Sequence, residues 1–224
     1  MKVEIWSDVV CPWCYLGKRR FESALSQFDH RDEVEVIWRS FELDPTAPRE
    51  RDVDLATHLS NKLGVSREEA VAMQQRVTDL GAGDGIGFRQ DIARSGNTFD
   101  AHRLLHLAAA HGLQGELKER LMNAYHVEGE PIGDPGTLER LAVEAGLPAE
   151  EVGELLAGER FADEVREDER TASSFGISGV PFFVVDRALG ASGAQSHETF
   201  ADLLERGWEN RPSVSDTAGA PTRG

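Results

Sequence analysis

Val9-Val10-Cys11-Pro12-Trp13-Cys14-Tyr15-Leu16-Gly17-Lys18 carries both cysteines of this 224-residue chain, set at the junction of an apolar run and a segment with helical spacing. Cys11 falls where a helix would begin, and unpaired backbone N–H groups at a helix start favour an anion. Pro12 suits the first helical turn, where its missing N–H costs nothing and its fixed φ fits the helix. Lys18, Arg19 and Arg20 are the nearest cations in sequence, one to two turns in, so the helix terminus is expected to be the larger influence on Cys11. Each pKa unit by which this thiol falls below its free value of about 8.5 is worth about 1.4 kcal/mol in favour of the thiolate, the nucleophilic form.

Other chemistries open to two cysteines at this spacing are weaker. A bridge enclosing two residues removes little chain entropy, so a purely structural disulfide would stabilise the fold poorly. A Cys2His2 metal site completed by His102 and His106 would have to join residues far apart in sequence, and a second CxxC pair is lacking. Two inert buried thiols would have no reason to share a helix start. The expectation is a redox-active pair and no metal.

Outward from the motif, Val3, Ile5 and Val9-Val10 read as a strand entering the turn, and residues 12–29 as a helix with Tyr15, Leu16, Phe21, Leu25 and Phe28 on its apolar face. Residues 33–43 alternate like a second strand, which makes a strand–helix–strand unit with the first nucleophile at the strand-to-helix handover. From about 52 to 174 the pattern is almost all helical. Ser66 to Glu69 forms a capping-box signature, Asp134-Pro135 a helix start, and the four glycines between Gly81 and Gly87 a flexible break. The charge run from Glu159 to Phe175 reads as a solvated helix face, with Phe161, Val165 and Ala172 turned inward. Strand character returns at Val180-Pro181-Phe182-Phe183-Val184-Val185, and Ser196 is placed to cap a closing helix through Trp208. The organisation expected is an α/β core from residues 1–48 and 175–209, a helical insertion from 49–174, and a disordered tail from 210–224.

Forty acidic residues against 24 basic ones give a formal charge of −16, which disfavours nucleic acid and anionic membrane surfaces as partners. The start Met1-Lys2-Val3-Glu4-Ile5-Trp6 lacks a basic region followed by a long apolar stretch, and no window is apolar enough to span a bilayer. The expected location is therefore the cytoplasm, where thiols are kept reduced, and this tilts the expected chemistry toward reduction or shuffling of other disulfides.

Taken together, Glu4-Ile5-Trp6-Ser7-Asp8, Cys11-Pro12-Trp13-Cys14-Tyr15-Leu16-Gly17-Lys18, Asn97-Thr98-Phe99-Asp100-Ala101-His102-Arg103-Leu104, Ser178-Gly179-Val180-Pro181-Phe182-Phe183 and Ser192-Gly193-Ala194-Gln195 resemble the DsbA family of thioredoxin-fold oxidoreductases, and within it the FrnE-like branch. The resemblance spans residues 1 to about 209. It implies a thioredoxin-like core with a large inserted all-helical subdomain, and a thiol-disulfide oxidoreductase in which Cys11 attacks a substrate disulfide and Cys14 resolves the mixed disulfide. It implies further that the Val180–Pro181 bond is cis, with the Val180 backbone beside Cys11 offering an extended substrate an N–H and a C=O. An ordinary strand-edge proline is the other reading of Pro181.

Pro12 and Trp13 replace the Pro-His pair of strongly oxidising relatives, so their very low thiol pKa is not carried over. Trp13 is either part of a substrate surface or a partly buried aromatic at the helix start. Asp8 is either the proton acceptor for Cys14 or a turn residue, and His102 either tunes Cys11 or is structural. The resemblance implies no cofactor beyond the Cys11–Cys14 pair and an optional low-molecular-weight thiol. The partners it implies are protein or small-molecule disulfides and thiols, together with a reducing partner. Two competing functions remain at this point. One is a glutathione-type isomerase or transferase of the kappa or 2-hydroxychromene-2-carboxylate isomerase class, and the other is a chaperone-like binding protein.

Overall fold

The computed structural model describes residues 1–211; the expected tail lies, from residue 212 onward, outside the described residues. Strand β1 (Lys2–Ser7) is the centre of a four-stranded sheet of order β2-β1-β3-β4. It runs parallel to β2 (Glu35–Ser40) and antiparallel to β3 (Phe182–Val185), and β4 (Leu189–Ser192) closes the edge. Ile5 sits opposite Trp38 on one side and Phe183 on the other, so a single residue joins both ends of the chain in one apolar layer. Val3, Ile5 and Trp6 are fully buried because helices cover both faces, which is why β1 lacks a strict polar alternation.

Helix α1 (Pro12–Gln27) and the last helix, α9 (His197–Glu209), lie together on one face. Phe21, Phe183 and Phe200 interlock there, with ring centroids 4.5 to 5.7 Å apart. Ser196 caps α9 through the Thr199 N–H at 3.3 Å. Gly17 is the residue of α1 beneath the Pro181 loop: a Cβ there would lie 3.0 Å from Pro181 Cγ, and its absence lets the helix approach that loop.

Between β2 and β3 run α2 (Leu55–Leu63), α3 (Arg67–Gly83), α4 (Phe99–Ala110), α5 (Gln114–Asn123), α6 (Pro135–Glu144), α7 (Ala149–Ala157) and α8 (Ala162–Ser174). The capping box at Ser66 and Glu69 is formed in both directions, and Asp134 accepts from the Thr137 N–H at 2.8 Å. Leu104, Leu117, Leu121, Leu138 and Leu155 build a core for this block distinct from the sheet's own.

Three expectations are corrected. The first strand stops at Ser7, because Val9 and Val10 occupy a turn held by the Asp8 carboxylate, which accepts from Leu43 N–H at 2.8 Å. Helix α3 continues through Gly81, where the Phe88 ring packs on the backbone and a Cβ would stand 2.3 Å from it; the glycine serves close packing rather than flexibility. The charged run of α8 is not wholly solvated: Asp168 is buried, accepting from Ser40 N–H at 2.9 Å and lying 3.1 Å from both Arg39 Nη1 and His106 Nε2. That cluster ties α4 and α8 to β2.

Candidate active site

Cys11 is the residue just before α1, extended at φ −87° and ψ 114°, with Pro12 in the first turn. Both cysteines are free thiols. Both cysteines are buried, Cys14 completely and Cys11 with 4 % exposure, and of the two Cys11 lines a groove of about 430 Å³. The hydrogen bond from the Cys14 thiol is the largest influence lowering the Cys11 pKa; burial opposes it, and the first-turn N–H groups of Cys14 and Trp13 add to the lowering. The neighbouring thiol therefore outweighs the helix terminus, which the sequence had ranked first. Burial raises the Cys14 pKa well above its ordinary value, and its hydrogen bond to Cys11 pushes the same way.

The Val180–Pro181 peptide is cis, and the Val180 carbonyl oxygen lies 3.7 Å from Cys11 Sγ. No hydrogen-bond acceptor within the described protein meets the Val180 N–H. Pro12 and Trp13 line the groove beside Cys11, and Trp13 is 41 % exposed, a solvent-facing wall rather than a core residue.

Asp8 is fully buried at the floor of the groove. Burial would raise its pKa, but His102, the Leu43 N–H and the cationic Lys118 hold the carboxyl below its usual value. His102 Nε2 lies 3.5 Å from Asp8 Oδ1 without a well-formed hydrogen bond, and burial lowers the pKa of the imidazole despite that carboxylate. Its contact is thus with Asp8 and not with either sulfur. His106 turns instead to Ser40 and Asp168, so the two histidines do not converge on the cysteines. Among the described residues no cluster of three or more His, Cys, Asp or Glu side chains is arranged to hold a metal.

The cations named from the sequence are engaged elsewhere. Lys18 and Arg19 both bind Glu119 at 2.5 Å, and Arg20 binds Asp84 at 2.8 Å. In their place stands Lys118, fully buried on α5, its Nζ donating to the Ser7 carbonyl at 3.4 Å. Burial pushes its pKa down to about 8, against the pull of Cys14 and Asp8. Nothing near the motif in sequence announces this residue; the one available signal is a lysine on the helical face otherwise occupied by Leu117 and Leu121. His126 was likewise missed. It lies under the active-site turn, 3.1 Å from the Val9 carbonyl, in a π-helical turn (Ala124–Glu128) that follows α5, and burial lowers its pKa to about 3.

No helix among the described residues is long and apolar enough to cross a membrane. A probable DsbA oxidoreductase from Streptomyces coelicolor superposes with a TM-score of 0.91 at 46% identity, covering 96% of this chain and 92% of its own. The uncharacterized protein YwbO of Bacillus subtilis is 28% identical over 199 residues, 88% of this chain and 93% of its own. A cytosolic disulfide reductase, DsbM, from Pseudomonas aeruginosa shares the fold at a TM-score of 0.66 and 19% identity, over 93% of this chain and all of that one. The DSBA-like thioredoxin domain matches residues 2–205, nearly the whole described chain, and the protein belongs to that family.

Proposed function

We propose that the protein is a thiol-disulfide oxidoreductase acting through Cys11 and Cys14, and that it reduces or reshuffles disulfides in the cytoplasm. The observation that carries this reading is the asymmetry of the two sulfurs: one activated at the mouth of a groove, the other sealed behind it beside Asp8 and Lys118. The Cys11 thiolate attacks one sulfur of a substrate disulfide, the S–S bond breaks, and the departing thiolate takes a proton. The Cys14 thiol then gives its proton to the Asp8 carboxylate, with the Lys118 cation favouring the Cys14 thiolate, and attacks Cys11 Sγ, releasing the second substrate thiol and leaving a Cys11–Cys14 disulfide. Two electrons have passed to the substrate, and a thiol reductant, either a small thiol or a dithiol protein, restores the pair. No metal or organic cofactor enters the cycle.

A thiol-adduct isomerase needs a single sulfur or a bound thiol, and it would give no role to Cys14 or to the ionisable pair beneath it. A binding protein without chemistry would not need Cys11 at all. Cys14→Ala separates these readings. It should accumulate mixed disulfides on Cys11, seen as mass adducts, and ultraviolet thiolate absorbance should show the Cys11 pKa rising as its main hydrogen bond is lost. A variant that traps nothing, beside a wild type inert toward model disulfides, would refute the oxidoreductase reading.

A further inference from the structure

Glu42 directly precedes Leu43, whose N–H holds Asp8 at 2.8 Å, in the segment that leaves β2. Its side chain is fully buried, and its two oxygens are treated unequally. Oε2 accepts from Arg166 Nη1 at 2.5 Å, whereas Oε1 is enclosed without a hydrogen-bond partner. Arg166 Nη1 also donates to Glu169 at 2.7 Å, so one guanidinium is divided between two carboxylates. Keeping a carboxylate ionised out of water with one bare oxygen and a shared cation is costly. Burial accordingly raises the Glu42 pKa to about 7 against the pull of Arg166, with Glu169 and Asp8 adding to the rise. Glu42 therefore passes from neutral to negative in the neutral pH range.

The change of charge takes place beside the base of the resolving step. Arg166 and Glu169 act on Glu42 from α8, His102 and Lys118 act on Asp8 from α4 and α5, and the two carboxyls feel each other. Lys118, Asp8, Glu42 and Arg166 thus form a series in which two acids stand between two cations. Asp8 is held below the usual carboxylate range, while Cys14 is pushed well above the usual thiol value. Proton transfer from Cys14 to Asp8 is therefore uphill, and the size of that gap governs the rate. A like charge next to Asp8 disfavours its ionised form and makes it a stronger base. The charged neighbours of Cys14 itself are Cys11 and Lys118, so the Glu42 charge falls on Asp8 first.

We propose that Glu42 is a positioning residue for the resolving step: a carboxyl that changes charge beside Asp8 and thereby sets how readily Asp8 takes the Cys14 proton, slow resolution going with neutral Glu42 and faster resolution with ionised Glu42. The proposal rests on the oxidoreductase reading and adds a control point to its second half. A Glu42 that only tied the end of β2 to α8 would alter stability and leave the shape of the rate–pH profile alone.

The test mixes reduced protein with one equivalent of dithiobis(nitrobenzoate), which releases a coloured thiolate once when Cys11 attacks and again when Cys14 resolves. This leaving group needs no proton, so the second release reads the deprotonation of Cys14. Asp8 stays ionised across the range from about pH 5.5 to 8, and the wild-type second release, read against the first in the same stopped-flow trace, should step up about threefold with its midpoint near pH 7, as expected for a like charge worth about one unit on Asp8 and half expressed in the transfer. Above about pH 8 Lys118 loses its own charge and closes the window. Glu42→Gln should stay on the slow, flat profile. Glu169→Gln, which removes a like charge and leaves Arg166 to Glu42, should move the step downward by about half to one pH unit. A Glu42→Gln variant that keeps the step, or that slows the second release by one factor at every pH, overturns the proposal. Carbon NMR of the side-chain carboxyls reads the coupling without chemistry: the Asp8 resonance should move as Glu42 loses its proton and should not do so in Glu42→Gln, and an Asp8 resonance indifferent to Glu42 is equally fatal. A wild type that shows this coupling but releases thiolate only once instead removes the oxidoreductase reading and leaves the Asp8–Glu42 pairing standing.

Discussion

Lys118→Met should make the protein more stable and slower at the same time. The Lys118 ammonium is fully buried, with a carbonyl rather than a carboxylate as its hydrogen-bond partner and the Trp38 ring centroid 5.7 Å from Nζ. Burial takes its pKa from 10.5 to about 8. The gap of about 2.5 pH units, at about 1.4 kcal/mol each, puts the net cost of keeping this charge inside at about 3 kcal/mol. Methionine keeps the apolar stem and removes the charge, but Asp8 loses a stabilising cation. A net gain of about 2 kcal/mol near pH 7 follows, a rise of about 4 to 8 °C in Tm for a chain of this size. Below pH about 8 the folded wild type carries the full penalty. Between about 8 and 10.5 the folded lysine loses its proton before the unfolded one, so the penalty fades, and above that range it is gone. The stability difference between variant and wild type should therefore be largest at neutral pH and shrink toward about pH 10 in urea titrations of the reduced proteins. Resolution should suffer, since Cys14 loses the buried cation that favours its thiolate, and release of the second product thiol should slow on the order of tenfold to a hundredfold in stopped flow. A variant that is less stable at neutral pH by an amount independent of pH, or that resolves mixed disulfides at the wild-type rate, would refute this account of the lysine.

Asp168→Ala should cost about 3 to 5 kcal/mol, because it leaves Arg39, His106 and the Ser40 N–H without their shared buried acceptor; a loss below about 1 kcal/mol in urea unfolding would show that the cluster does not hold α8 to the sheet. Glu42, fully buried beside Arg166, has its pKa raised by burial to about 7, with Glu169 and Asp8 adding to the rise. Its folded form keeps a proton that the unfolded chain releases between about pH 4.5 and 7, so wild-type stability falls across that window and the Glu42→Gln variant should gain about 3 kcal/mol relative to it from about pH 4.5 to 7. Parallel pH–stability curves for the two proteins would count against a protonated Glu42.

The parts of this molecule legible in its sequence are those fixed by neighbours in sequence. The helix start at Pro12, the capping box at Ser66 and Glu69 and the Asp134 cap each depend on contacts spanning a few residues, and each forms as its local chemistry dictates. Asp8 could be named from the sequence because it lies within one turn of Cys11. Its actual partners could not, since Leu43, His102 and Lys118 reach it from the segment after β2, from α4 and from α5. The same distance misled the reading of charge: Lys18, Arg19 and Arg20 look like the cations of the site when counted along the chain, but Glu119 and Asp84 neutralise them. Both the carboxylate that removes Lys18 from the site and the lysine that replaces it are adjacent residues of α5, one turned outward to α1 and the other inward to the sulfurs. A helix that supplies the buried charge beneath Cys14, while α2 and α3 shape the groove before Cys11, makes the helical block part of the thiol pair's electrostatic surroundings rather than a cover laid over it. Changes of core charge in that block should therefore alter the thiol pair even when the CPWC motif and the Pro181 loop are untouched.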